Sequence, residues 1–173
     1  MRNLSYRSAL GVLLLALLAT SCFGGPTTSP GWGGIRAEGD VIYFATPSGK
    51  VYSLEAATGK LVWEFPKESK ETTGSYYAQP ITVGEILLIG SLKRKADEPN
   101  LYALDTKSGQ SLWKFTAGDA IVADVAATEG TVYVAAADRK LYALDLTNGS
   151  KLWEFATGNS VWATPLVVGS WVY

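Results

Sequence analysis

The amino-acid sequence predicts an all-β protein built of β-propeller blades, each a sheet of four antiparallel strands, and three observations predict it. One unit occurs three times. Val51-Tyr52-Ser53-Leu54-Glu55 leads to Thr58-Gly59-Lys60-Leu61-Val62-Trp63, Leu101-Tyr102-Ala103-Leu104-Asp105 to Ser108-Gly109-Gln110-Ser111-Leu112-Trp113, and Leu141-Tyr142-Ala143-Leu144-Asp145 to Asn148-Gly149-Ser150-Lys151-Leu152-Trp153. The tryptophans lie 50 and then 40 residues apart, whereas tyrosine to tryptophan is always 11. A fixed inner spacing with a variable outer one marks a single supersecondary unit with insertions in its loops, and periods of this size belong to propellers and solenoids. Each unit has room for four short strands. After residue 34 no stretch carries the 3.6-residue apolar period of a helix.

The chain opens on an address. Arg2 and Arg7 form a basic start, and Ala9–Ala19 is an uncharged apolar run of 11 residues. As a helix it would span roughly 16 Å against a hydrocarbon core of about 30 Å, which suits a signal peptide rather than a membrane span. Leu18-Ala19-Thr20-Ser21-Cys22 resembles the lipobox of bacterial lipoproteins, with Ala19 where that pattern usually has Leu. The resemblance implies cleavage after residue 21 and lipidation of Cys22. Cys22 is the one cysteine, so no disulfide can form within the chain. Residues 22–34 then read as a tether: Phe23–Gly34 holds five glycines, two prolines and three hydroxyl residues.

Residues 35–173 are expected to form the repeats, with blades at about 39–83, 84–128 and 129–168 and the start of another at 169–173. The first strand of each unit is Val41–Ala45, Ile86–Gly90 or Thr131–Ala136. The second carries the Tyr-x-Leu-acid step, and the third ends Trp-x-Phe. The fourth is Tyr77–Val83, Ile121–Ala127 or Val161–Val168. Gly39, Gly84, Gly130 and Gly169 each precede a first strand.

Each repeated residue has a physical task. Tyr52, Tyr102 and Tyr142 sit in the second strand. Asp105 and Asp145 can accept hydrogen bonds from the backbone of their own turn, and Glu55 offers a longer arm that fits that turn less well. Gly59, Gly109 and Gly149 can take the positive φ of a short reversal. Trp63, Trp113 and Trp153 share a face with Phe65, Phe115 and Phe155, since side chains alternate. Each tryptophan can bury ~150–250 Å², roughly 4–6 kcal/mol of gross transfer energy at ~25 cal/mol per Å². That makes it the expected wedge between blades. The second strand is apolar on both faces, with Leu101 and Ala103 on one and Tyr102 and Leu104 on the other, as in a sheet stacked between two others.

The LYALD…SGxxLW and LYALD…NGxxLW units resemble the repeats of PQQ-like β-propellers, across about residues 35–173. Two kinds of protein share them. One is the quinone-dependent dehydrogenases. The other is the binding or scaffold propellers, including BamB-type lipoproteins of outer-membrane β-barrel assembly. The dehydrogenase resemblance implies an acidic base, calcium ligands and often an adjacent cysteine pair. The pair is absent here, and Asp119, Asp124 and Asn159 are the best oxygen ligands available, in positions suited to turn and loop roles. The chain has no histidine, the commonest general base and metal ligand. Its net charge of −1 disfavours nucleic acid. The expected function is therefore a non-enzymatic, exported and membrane-anchored scaffold without cofactor, possessing no catalytic residue. A fragment of a PQQ-dependent dehydrogenase is the alternative.

Partners are expected to be other envelope proteins met through the blade loops, with the membrane reached only by the lipid anchor. Two loops are long and charged, Lys67–Gly74 and Lys93–Pro99, and deletion of Lys93–Glu98 is expected to leave the fold intact. Gln79, Asp124 and Thr164 fall at one position of successive blades. They either form a polar ring facing a channel, able to hold a small ligand, or hydrogen-bond between blades. Three blades and a part cannot close a ring, which needs at least about four. The expectation is the N-terminal part of a longer propeller, or closure by other copies.

Overall fold

The protein is represented by a computed structural model that describes residues 34–68, 73–92, 98–128 and 130–173. Cys22, the signal segment, almost all of the tether and the loop stretches 69–72 and 93–97 lie outside the described residues.

All regular structure among the described residues is β. The first sheet is β1 (Ile35–Glu38), β2 (Val41–Ala45), β3 (Val51–Glu55) and β4 (Leu61–Phe65), hydrogen-bonded in that order. The second contains β5 (Ser75–Tyr76), β6 (Ile81–Val83), β7 (Ile86–Leu92), β8 (Asn100–Asp105) and β9 (Ser111–Thr116), with β5 and β6 both pairing β7. The third is β10 (Ala126–Ala127), β11 (Thr131–Ala136), β12 (Lys140–Asp145) and β13 (Lys151–Ala156). A hairpin of β14 (Val167–Val168) and β15 (Trp171–Val172) follows. Every pairing is antiparallel.

The strands group differently from the expected units. The apolar run expected to be the fourth strand of a unit is the first strand of the next sheet: Ile81–Val83 pairs with Ile86–Leu88, not with the sheet before it. The two-residue turn Gly84-Glu85 closes that hairpin, with Gly84 at φ +58°, and so short a turn makes its flanking strands neighbours. These runs are also shorter than expected, with Ile121–Ala127 contributing only Ala126 and Ala127. In two of them the backbone turns to the preceding sheet: Ile121 N donates to Ser91 O at 3.2 Å and Val161 N to Ala136 O at 3.4 Å.

Two apolar cores lie between the sheets. The first gathers Tyr43, Val51, Trp63, Leu87, Tyr102 and Leu104, and the second Leu88, Leu101, Trp113, Val132, Tyr142 and Leu144. Strand β8 alternates between them, so the second sheet is covered on both faces.

The tryptophans lock neighbouring sheets together. Trp63 Nε1 donates to the Thr106 carbonyl at 2.8 Å, and Trp113 Nε1 to the Leu146 carbonyl at 2.9 Å. Both carbonyls belong to the residue after the aspartate of the next sheet's turn. The turn glycine lies flat against the same ring. A Cβ on Gly109 would stand 2.5 Å from Trp63 Cε3, and one on Gly149 2.5 Å from Trp113 Cε3. Phenylalanine and tyrosine complete the joint, with Phe65–Tyr102 ring centroids 5.3 Å apart and Phe115–Tyr142 5.0 Å.

The turn itself is held by its acid. Asp105 Oδ1 accepts from Ser108 N at 2.7 Å, and Asp145 Oδ1 from Thr147 N at 2.8 Å. The hydroxyls of Ser108 and Thr147, with those N–H groups, hold both carboxyls below the usual carboxylate range. Glu55 reaches only the Thr58 hydroxyl, at 2.5 Å, and takes no backbone N–H of its turn among the described residues.

One core position departs from the repeat. Ser53 faces Trp63 across the strands, where Ala103 and Ala143 face Trp113 and Trp153. Its Oγ is buried with no hydrogen-bond partner among the described residues. Ser53→Ala is therefore expected to stabilise the protein by about 1 kcal/mol, because it removes an uncompensated desolvation cost. A denaturant midpoint that falls would contradict this.

Candidate functional site

Antiparallel order puts the Gly84–Glu85 type of turn and the Asp-to-Gly turns at one end of every sheet. Backbone hydrogen bonds tie them together: Ala56 N to Asp40 O, Thr106 N to Glu85 O and Leu146 N to Gly130 O, at 2.8–3.1 Å. The opposite end carries the loops of variable length, and there the candidate binding surface is built.

At the loop end, buried polar side chains fix the segment entering the second sheet. Thr73 Oγ1 donates to Gly49 O at 2.9 Å, Tyr76 OH to Thr73 Oγ1 at 2.7 Å, and Ser75 Oγ to Pro47 O at 2.8 Å. Burial pushes the Tyr76 phenol well up from its ordinary value, so it stays protonated and donates. Lys50 Nζ reaches Glu64 Oε1 at 3.2 Å and the Pro66 carbonyl. The backbones approach so closely that a Cβ on Gly74 would sit 2.4 Å from Leu92 O. In the third sheet Asp138 Oδ2 accepts from Gly118 N at 2.8 Å and from Tyr142 OH. Hydrogen bonds thus hold the described base of the Lys67–Gly74 loop, and Asn100 N, donating to Ser91 Oγ at 3.0 Å, holds that of Lys93–Pro99. The residues Thr73, Ser75 and Tyr76 carry no repeat signal, and the sequence reading did not single them out.

The register position of Gln79, Asp124 and Thr164 is used between blades in two of its three members. Gln79 N donates to Asp124 Oδ1 at 2.6 Å, and Gln79 Nε2 to Ile35 O at 2.7 Å. Each side chain therefore binds the main chain of the sheet before it. Thr164 is exposed and no hydrogen bond joins it to either. Asp124→Ala is expected to lower stability by about 1–3 kcal/mol through loss of a charge-assisted bond. Asp124→Asn should keep a good part of it, as read by thermal and denaturant unfolding.

The oxygen ligands do not converge. Asp119 Oδ1 caps Ala120 N at 2.8 Å, the Asn159 main-chain oxygen accepts from Thr157 Oγ1 at 2.6 Å, and the Asp124 carboxylate is taken by Gln79. No group of three or more His, Cys, Asp or Glu suited to a metal ion occurs among the described residues. These residues do not fit a calcium–quinone centre.

Two faces stay open. Beyond the third sheet Trp153 is 43% exposed, against 5% for Trp63 and 9% for Trp113. Phe155, Trp162, Trp171 and Tyr173 are exposed as well. Glu154, between Lys140 and Lys151, has its carboxyl lowered to about 2 by hydrogen bonds from both. On the first sheet, Leu61 and Val62 are about half exposed and a Cβ on Gly59 would meet nothing within 4 Å.

The family described as outer membrane protein assembly factor BamB matches residues 25–93 and 71–173 of the chain. Among solved structures, BamB from Moraxella catarrhalis is 26% identical, with a TM-score of 0.65 over 82% of this chain. The chain spans 41% of that protein's length. The quinohemoprotein alcohol dehydrogenase of Comamonas testosteroni is 16% identical, with a TM-score of 0.65 over 78% of this chain and 29% of its own. The computationally designed Ika4 protein is 16% identical, at 0.65 over 86% of this chain and 85% of its own. At such identities the last two show a shared fold alone. No curated protein matches the chain. The repeats fold as stacked propeller blades and the family match covers nearly all of them, so the chain belongs to the BamB family.

Proposed function

We propose that the chain is a non-enzymatic scaffold of the bacterial envelope, acting in the assembly of outer-membrane proteins and anchored through a lipid on Cys22. The observation that carries this reading is the BamB-family match across both overlapping stretches, 25–93 and 71–173. Two features support it. Polar groups at the inner register are used in blade-to-blade hydrogen bonds. The described bases of the long loops are hydrogen-bonded, and loops carried on a packed scaffold are a common form of binding surface.

The test is expression in a bacterium with an outer membrane, as the native chain and as Cys22→Ser. The native chain is expected to sediment with membranes, to label with fatty acid and to crosslink to the barrel-assembly proteins. The variant is expected to lose the label and most of the sedimentation. Crosslinks no more frequent than those of an unrelated exported protein would overturn the scaffold reading. Saturable binding of pyrroloquinoline quinone with calcium would favour the dehydrogenase instead.

A further inference from the structure

We propose that Asn148 is a latent deamidation site, held unreactive by the seating of its turn on Trp113, and that its conversion unseats the joint between the second and third sheets. The three glycine-bearing turns share one backbone, with Gly59, Gly109 and Gly149 at φ +69°, +68° and +72°. The residue before the glycine differs: Thr58, Ser108 and Asn148. Asn148 alone of these carries a carboxamide, and it forms the one Asn-Gly step in the chain. Glycine has no Cβ to shield its nitrogen, so that nitrogen can approach the side-chain carbonyl carbon of the residue before it. Asn148 is exposed, so water and base reach it.

The chemistry needs nothing but water. Gly149 N gives up its proton to solvent base and forms a bond to Asn148 Cγ. The Cγ–Nδ2 bond breaks, and ammonia leaves with a proton from water. Water then opens the cyclic imide at either carbonyl, leaving aspartate or isoaspartate. Overall one water enters and one ammonia departs, with no change of oxidation state.

The folded turn withholds each reacting group. Gly149 N donates to Asp145 O at 2.9 Å. Asn148 Oδ1 accepts from Ser150 N at 2.8 Å, and Asn148 N donates to Asp145 Oδ1 at 3.3 Å. Gly149 is buried against the Trp113 ring, whose N–H holds the Leu146 carbonyl of the same turn. Cyclisation therefore waits on local opening of the turn away from Trp113. Once it has occurred, the turn does not close as before. Isoaspartate runs the main chain through the former side chain and moves Gly149 relative to the ring it must lie on. Either product adds a negative charge beside Asp145, and like charges so close oppose each other.

The test compares the intact folded chain, the same chain in guanidinium, and a peptide copying Leu146–Leu152, all held in mildly alkaline buffer. Mass spectrometry follows the exchange of ammonia for water, and peptide mapping places it. The peptide and the denatured chain are expected to react at similar rates. The folded chain should react at least about tenfold more slowly, the restraint given by an opening that costs about 1.4 kcal/mol or more. Trp113→Phe keeps a ring but loses the bond to the Leu146 carbonyl, and should speed the folded-state reaction severalfold. Asn148→Ser, which copies the turn of the second sheet, should abolish the mass change at this turn and keep the native denaturant midpoint. Chain deamidated in guanidinium and then refolded should unfold at a lower midpoint than either. Equal rates for folded chain and peptide, a folded-state rate unchanged by Trp113→Phe, no reaction at Asn148 in guanidinium, or a native midpoint for the deamidated chain would each overturn the proposal.

Discussion

Trp113→Ala is expected to lower stability by about 3–5 kcal/mol, the usual cost of emptying a large aromatic site in a core. The indole is 9% exposed, wedges the second sheet against the third, and its N–H bonds the Leu146 carbonyl. Truncation leaves a cavity and a carbonyl without its donor, and the two losses reinforce each other. Trp153→Ala should cost only about 1 kcal/mol, because that ring is 43% exposed and had little apolar area to lose. The two residues occupy equivalent places in their sheets, so the difference isolates the joint from the strand. Denaturant midpoints at matched slopes measure it. Equal losses would mean that the tryptophans stabilise their own sheets and not the contact between sheets.

Gly149→Ala and Gly59→Ala form a second pair with a large contrast. Both glycines have left-handed backbones, at φ +72° and +69°, so alanine at either position costs about 1–2 kcal/mol in backbone strain. At Gly149 the new methyl would also stand 2.5 Å from Trp113 Cε3, whereas at Gly59 it would meet nothing. Forcing a methyl into a packed joint adds about 1–3 kcal/mol. Gly149→Ala is therefore expected to cost about 2–5 kcal/mol in all, and Gly59→Ala only the strain. Thermal unfolding of the two variants separates sterics from conformation. A Gly59→Ala variant as damaged as Gly149→Ala would show that the backbone term alone governs these turns.

Much of this architecture was legible in the sequence, because the residues that build it are of types with few alternative uses. A glycine, an acid and a tryptophan at fixed intervals specify a turn and a wedge whatever surrounds them, and the Leu101-Tyr102-Ala103-Leu104 alternation announced a strand buried on both sides. The grouping of strands was not legible. Ile81–Val83 is apolar whichever sheet it joins, and only the closing two-residue turn decides. The shortening of Ile121–Ala127 was hidden for a related reason, since its backbone bonds the preceding sheet and composition does not record the direction of an N–H. Arg139 takes φ 68°, where Gly49 serves the first sheet, and arginine carries no signal for a left-handed turn. The partner of Asp124 could be reasoned only as far as two alternatives, a channel or a neighbouring blade.

The division of labour in β8 bears on how the molecule comes apart. Its Tyr102 and Leu104 belong to one core, and its Leu101 and Ala103 to the other. Melting either flanking sheet dissolves a single core and leaves the other standing. Melting the central one dissolves both, so its opening approaches global unfolding while its neighbours can fray in partial steps. Among the three described sheets, cooperativity is thus set by one strand that two cores share, and its backbone amides should exchange with solvent more slowly than those of the other two.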